Sequence, residues 1–149
     1  MDNERMLKEV EEAITAADNA LAHLYAARDR LNSASGWGLF DMLGGGMFTT
    51  FIKRSRMKEA QTEMERAQNA LMIFNRELED VQNMEGIDFD ASSFEGIADY
   101  VFDHLFVDMF VQGQISDAQD KVEDAIAQVS ILLEDLEAKE EELVRELGR

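Results

Sequence analysis

Apolar residues recur at alternating spacings of three and four positions in three long parts of the chain. This spacing is the a/d heptad pattern of helices that pack lengthwise against one another. The pattern therefore predicts an all-α protein with three long helices, and it is interrupted only at Arg28 in the first series and at Lys139 in the third. The series are Leu7, Val10, Ile14, Ala17, Leu21, Leu24 and Leu31; Met57, Ala60, Met64, Ala67, Leu71, Phe74, Leu78 and Val81; and Ile115, Ala118, Val122, Ala125, Val129, Leu132, Leu136 and Leu143.

Stretches rich in serine and glycine set the expected ends of these helices. Asn32–Gly36 is typical of a helix stop, and Ser92 with Glu95 three residues later forms a capping box that starts a new helix. The expected helices span about 3–34, 47–84 and 93–147, the last with a break near 112–116, and short aromatic and glycine-rich caps span 36–46 and 92–111.

The direction of the helices is predicted from their connections, because short connections favour antiparallel neighbours. We expect a single domain over residues 1–149: an elongated antiparallel three-helix coiled-coil bundle that runs up, down and up, with the two caps at opposite ends. An internal repeat with an offset of 58 residues, which places Asn32–Ser35 over Asp90–Ser93, supports this alternation of helices and caps. In a second arrangement, residues 85–104 run back along the bundle and the two caps pack together.

Charge is abundant and unevenly distributed along the chain. The 32 acidic and 14 basic side chains give a formal charge of −18, which repels phosphate backbones and argues against nucleic-acid binding. Between residues 28 and 58 lie six cations and two acids. The six cations, which we call the basic cluster, are Arg28, Arg30, Lys53, Arg54, Arg56 and Lys58. They are expected either to receive an acidic partner, a phosphate or a membrane surface, or to neutralise acids on adjacent helices.

The segment Gly36–Phe51 contains the only tryptophan, Trp37, together with Phe40 and three consecutive glycines. It could insert into anionic lipid as a hairpin, because aromatic residues followed by cations suit a membrane interface. We favour a second interpretation, in which its aromatic residues close one end of the bundle, because Asp41 within the apolar stretch weakens insertion.

The second aromatic stretch predicts a partner surface. Phe102, Phe106, Met109 and Phe110 are too many to bury easily within one copy, and exposed aromatic residues of this kind mark interaction sites.

Acidic residues in both caps are candidates for a divalent metal site, because carboxylates with one imidazole suit such ions. The candidates are Asp41, Asp99, Asp103 and His104. We favour a structural role for them, in which the carboxylates cap the starts of neighbouring helices.

The motif Trp37-Gly38-x-x-Asp41-x-x-Gly44-Gly45-Gly46 resembles that of an uncharacterised family of small bacterial proteins common in Gram-positive species. The similarity covers roughly residues 30–125, with Arg54 where the family has histidine and Val101 where it has an aromatic residue. The resemblance implies a helical fold and no established activity.

Catalytic chemistry has little support in the composition, since the chain has no cysteine and two histidines. We expect a non-enzymatic cytoplasmic interaction or scaffold protein that needs no cofactor and binds a protein partner or itself. The alternatives are membrane association through Gly36–Phe51 and, more distantly, carboxylate-based metal binding.

Overall fold

The computed structural model describes the backbone of residues 2–42, 47–84 and 115–149, and the side chains of residues 2–33, 58–84 and 118–149. Helix α1 spans Asp2–Met42, α2 spans Met47–Gln82 and α3 spans Ile115–Glu146. Helix α1 packs against both α2 and α3, and each of these two neighbours runs antiparallel to it. The predicted all-α bundle of three helices is therefore confirmed.

Helix α1 is central because its apolar face is wider than two heptad rows. A third row lies one position before the row that starts at Leu7 and repeats every seven residues. All four of its members are buried: Met6, Ala13, Ala20 and Ala27. The middle row is buried as well: Val10, Ala17, Leu24 and Leu31. Since each residue advances by roughly 100° around a helix, three adjacent rows cover enough of α1 to receive two neighbours.

Polar contacts at the two edges of this apolar face show which row of α1 faces which neighbouring helix. His23 and Arg30, next to the alanine row, contact Glu63 and Glu59 of α2. On the opposite edge, Arg28 contacts Glu123 of α3. The alanine row therefore faces α2, the row that starts at Leu7 faces α3, and the middle row contributes to both interfaces. Among the described residues, α2 and α3 pack on α1 without a comparable contact between them.

The predicted stop of the first helix at Asn32–Gly36 is wrong, because α1 continues to Met42. Serine, asparagine and isolated glycine each cost a helix about 1 kcal/mol or less, and the chain has no proline to end it. Once a helix has formed, each added residue gains a backbone hydrogen bond. Residues 36–42 of the predicted cap are therefore helical, whereas α2 begins at Met47 as predicted.

The up-down-up order is also wrong, because α3 runs antiparallel to α1. Asn3 Nδ2 donates to Glu146 Oε2 at 3.0 Å, and Gln119 Nε2 donates to Asn32 Oδ1 at 2.8 Å. The start of α1 therefore meets the end of α3, and the order is up, down, down. The rule for short connections does not apply here, since 32 residues, 83–114, separate the end of α2 from the start of α3. Residues 85–114 of this connection carry the second cap and the first part of the second repeat, and they lie outside the described residues.

Truncation of Phe74, the largest fully buried side chain among those that the structure describes, tests the core. We expect Phe74→Ala to lower the free energy of unfolding by about 3–5 kcal/mol, because it removes buried apolar surface and leaves a cavity. Met72→Ala is the control, since Met72 is 40% exposed on the same helix. Chemical denaturation followed by circular dichroism measures both; an equal loss in the two variants would contradict this description of the core.

Site-specific cross-linking tests the direction of α3, because the chain has no cysteine of its own. We expect a short bifunctional maleimide to link Asn3→Cys to Glu146→Cys within one molecule, as the native side chains are hydrogen-bonded. The control pair, Asn32→Cys with Glu146→Cys, would be close only in an up-down-up bundle. Mass spectrometry of digested monomer identifies the link, and preferential linkage of the control pair would refute the antiparallel arrangement.

Candidate functional site

The basic cluster lies at one end of the bundle, because it is divided between the last part of α1 and the first part of α2. We call this the hairpin end and define it as residues 28–42 of α1 and 47–58 of α2. Lys58 is exposed, and Lys53, Arg54 and Arg56 lie on the preceding turns of α2. The side chains of those three residues, and those of Trp37, Phe40 and Asp41, lie outside the described part of the chain.

Two members of the basic cluster contact acids of neighbouring helices. Arg30 Nη1 lies 3.3 Å from Glu59 Oε2 of α2, and Arg28 Nη1 lies 3.7 Å from Glu123 Oε1 of α3. The Arg28 guanidinium also stacks over Tyr25, at 4.9 Å from the ring centroid. Of the two predicted roles of the basic cluster, the structure therefore supports the neutralisation of acids on adjacent helices for Arg28 and Arg30, and not the binding of an external anion.

The antiparallel course of α3 collects acidic residues at the opposite end of the bundle. We call this the acidic end and define it as residues 2–14 of α1, residues 75–84, which include the end of α2, and residues 134–149, which include the end of α3. These segments carry 15 acidic and six basic side chains, a formal charge of −9. In an up-down-up bundle the acidic C-terminal part of α3 would instead have met the hairpin end, so the direction of α3 decides where its acidic residues lie among the described helices.

Three carboxylates converge where α1 and α2 meet at the acidic end. One oxygen from each of Glu9, Glu12 and Glu77 lies within 4.8 Å of the others. Glu77 Oε2 is buried and has no hydrogen-bond partner among the described residues. Burial, followed by the negative charges of Glu12, Asp80 and Glu9, raises the pKa of Glu77 above its ordinary value.

A similar group lies at the same height on the other side of α1. Burial raises the pKa of Glu140 on α3, and the charges of Glu11 and Glu137 add to the effect. Because Glu9, Glu11 and Glu12 fall within one turn of α1, that turn presents carboxylates to both neighbouring helices. We call Glu9, Glu11, Glu12, Glu77 and Glu140 the carboxylate belt.

A cleft of about 900 Å³ opens beside the belt, between the start of α1 and the end of α2. Its lining is mainly polar and includes Asp2, Arg5, Glu9 and Asp80, with Met6 and Met84 as apolar members. Within the described ranges, Glu9, Glu12 and Glu77 are the group of three potential metal ligands that converge. The convergence identifies a concentration of like charge and does not by itself identify a ligand.

The belt was not predicted, although part of its signal is visible in the sequence. Glu77 follows Ala70 by seven residues in the row beside the second heptad series, so a charged side chain next to an interface could have been identified. Which residues face it depends on the alignment of α1 with α2, and heptad spacing alone does not define that alignment.

The remaining predicted site residues fall in the connection between α2 and α3. Asp99, Asp103, His104, Phe102, Phe106, Met109 and Phe110 all lie outside the described residues. The predicted metal site and aromatic partner surface therefore stay predictions.

Comparison with known proteins adds no relative: no protein-family model, curated protein or solved structure matches the chain. The family resemblance of the glycine motif stays a prediction. Among the helices that the structure describes, none is long and apolar enough to cross a membrane.

Proposed function

We propose that this protein is a non-enzymatic helical interaction module that associates with further copies of itself through its two oppositely charged ends. The observation that carries the proposal is the charge segregation produced by the antiparallel course of α3. The sequence at the start of α2 contains Lys53, Arg54, Arg56 and Lys58 and no acid among residues 47–58, whereas the acidic end of another copy carries a charge of −9.

Electrostatic attraction between unlike ends must compete with the repulsion expected from a formal charge of −18. At about 0.1 M salt the screening length is about 10 Å, so distant repulsion is reduced while close contacts between ends still act. Exposed apolar side chains on α2 and α3, namely Met72, Ile73 and Ile131, add surface that a second copy could cover. The proposed role requires no cofactor.

Light scattering as a function of salt tests self-association. We expect a mass above the 16.9 kDa monomer at about 0.1 M salt and a return toward the monomer at about 0.5 M salt, where charges are screened within a few ångströms. The triple variant Lys53→Gln, Arg54→Gln and Arg56→Gln should remain monomeric at both salt concentrations. A monomeric wild-type protein under both conditions would reject the proposal.

A matched control removes three cations elsewhere. Lys8→Gln, Arg76→Gln and Arg145→Gln change the net charge by the same amount, but all three residues are exposed at the acidic end. This control should associate at least as well as the wild type. Equal loss of association in the two triple variants would show that net charge, and not the basic hairpin end, controls assembly.

Membrane association is a second candidate function, favoured by the continuity of α1 to Met42 and the start of α2 at Met47. These bounds place the backbone of Trp37 and Phe40 at the same end of the bundle as Lys53 and Arg54. Aromatic residues beside cations suit an interface with anionic lipid.

Co-sedimentation with liposomes tests this second candidate. Binding through the hairpin end predicts pelleting with vesicles that contain anionic lipid, and weaker pelleting of the Lys53→Gln, Arg54→Gln, Arg56→Gln variant. The control triple variant should pellet like the wild type. Retention of the wild type in the supernatant with both anionic and neutral vesicles would eliminate the membrane function.

A further inference from the structure

We propose that the carboxylate belt is an acid-operated clamp, which tightens the ends of α2 and α3 onto the start of α1 when Glu77 and Glu140 take up protons. The inference does not depend on self-association, since the groups involved belong to one chain. It depends on the position of the belt, at one height on both interfaces of the central helix.

Like charge is crowded at the α1–α2 interface. Glu77 points toward α1 from α2, and its oxygen lies within 4.8 Å of oxygens of Glu9 and Glu12. With all three side chains ionised, the charges repel across the interface, and the buried Oε2 of Glu77 has no described donor to stabilise its charge. A proton on Glu77 removes one charge and supplies a donor to a neighbouring carboxylate.

The surrounding charged groups do not offset this crowding. On α2, Asp80 adds negative charge to Glu77, and Arg76 is exposed to solvent. On α1, Lys8 is exposed, and Arg5 lines the cleft together with Glu9 and Asp80. Like charge therefore dominates at the oxygens of Glu77.

The second interface repeats the arrangement with different residues. The pairs Asn3–Glu146 and Arg28–Glu123 define how α3 is aligned with α1, and this alignment places Glu140 at the height of Glu11. The negative charges of Glu11 and of Glu137 act on the Glu140 carboxylate. The adjacent cation, Lys139, is engaged by Glu142, with Nζ 3.5 Å from Oε2. Since Glu11 lies between Glu9 and Glu12, proton uptake relieves repulsion on both sides of the same turn of α1.

The direction of the pH effect follows from the raised pKa values of Glu77 and Glu140. In the unfolded chain both groups have an ordinary pKa near 4.5, so protons bind the folded protein more strongly. The stabilisation is complete below pH 4.5 and is lost as the pH rises through the higher pKa values of the folded state. Mild acid should therefore stabilise this bundle, in contrast to proteins whose carboxylates are held by cations.

Thermal unfolding at about pH 7 and about pH 5 tests the clamp on dilute full-length protein. We expect the wild-type melting temperature to rise on acidification. The double variant Glu77→Gln, Glu140→Gln should melt about 3 °C or more above the wild type at neutral pH and should lose most of the rise in acid. Glu65→Gln with Glu134→Gln is the matched control, because both side chains are exposed on the same two helices.

Hydrogen exchange shows where any tightening occurs. After correction for intrinsic exchange rates, acidification of the wild type should slow exchange in residues 2–14 and 75–84 more than in residues 20–33. The double variant should exchange slowly in those segments at both pH values. A control pair that reproduces the double variant, or acid protection spread evenly along α1, would overturn the proposal.

Discussion

The broad apolar face of α1 is the constraint on which the structure depends. A helix with the usual two heptad rows has one good partner surface, whereas the row of Met6, Ala13, Ala20 and Ala27 gives α1 a second. Both neighbours run against it, so they run parallel to each other. The end of α3 is thereby placed beside the start of α1, and that placement brings the acidic residues of the three described helices together at one end.

The sequence predicted the class of fold because heptad spacing is a local property, which can be recognised in each segment without knowing which helices pack beside it. It also placed the start of α2, where an apolar residue follows three glycines. It misplaced the end of α1, because serine and glycine near Gly36 are weak helix breakers whose effect depends on the rest of the helix. It missed the direction of α3, because a separation of 32 residues does not restrict which end of the bundle the chain returns to.

Prediction of the candidate site was limited in the same way, because the sequence shows local patterns and not which helices lie beside each other. The basic cluster is visible along the chain, yet the ion pairs of Arg28 and Arg30 depend on which helices lie beside them. The carboxylate belt is even harder to predict from the sequence, since Glu11 acts on Glu140 only when α3 runs antiparallel to α1. Charged residues that flank an apolar row are ordinarily solvated, and the exceptions become visible only when the helices are aligned.

The alanine row on α1 has a consequence for how the helices find their alignment. Ala13, Ala20 and Ala27 present the same small surface at every second turn, so a displacement of α2 by seven residues would meet an equivalent groove. Alanine also loses no side-chain entropy on burial, which makes the contact favourable without making it selective. Bulky residues such as Phe74 and pairs such as Arg30 with Glu59 therefore select one alignment among these near-equivalent positions. The alanine contacts hold the helices together, and a few larger or charged groups define their register.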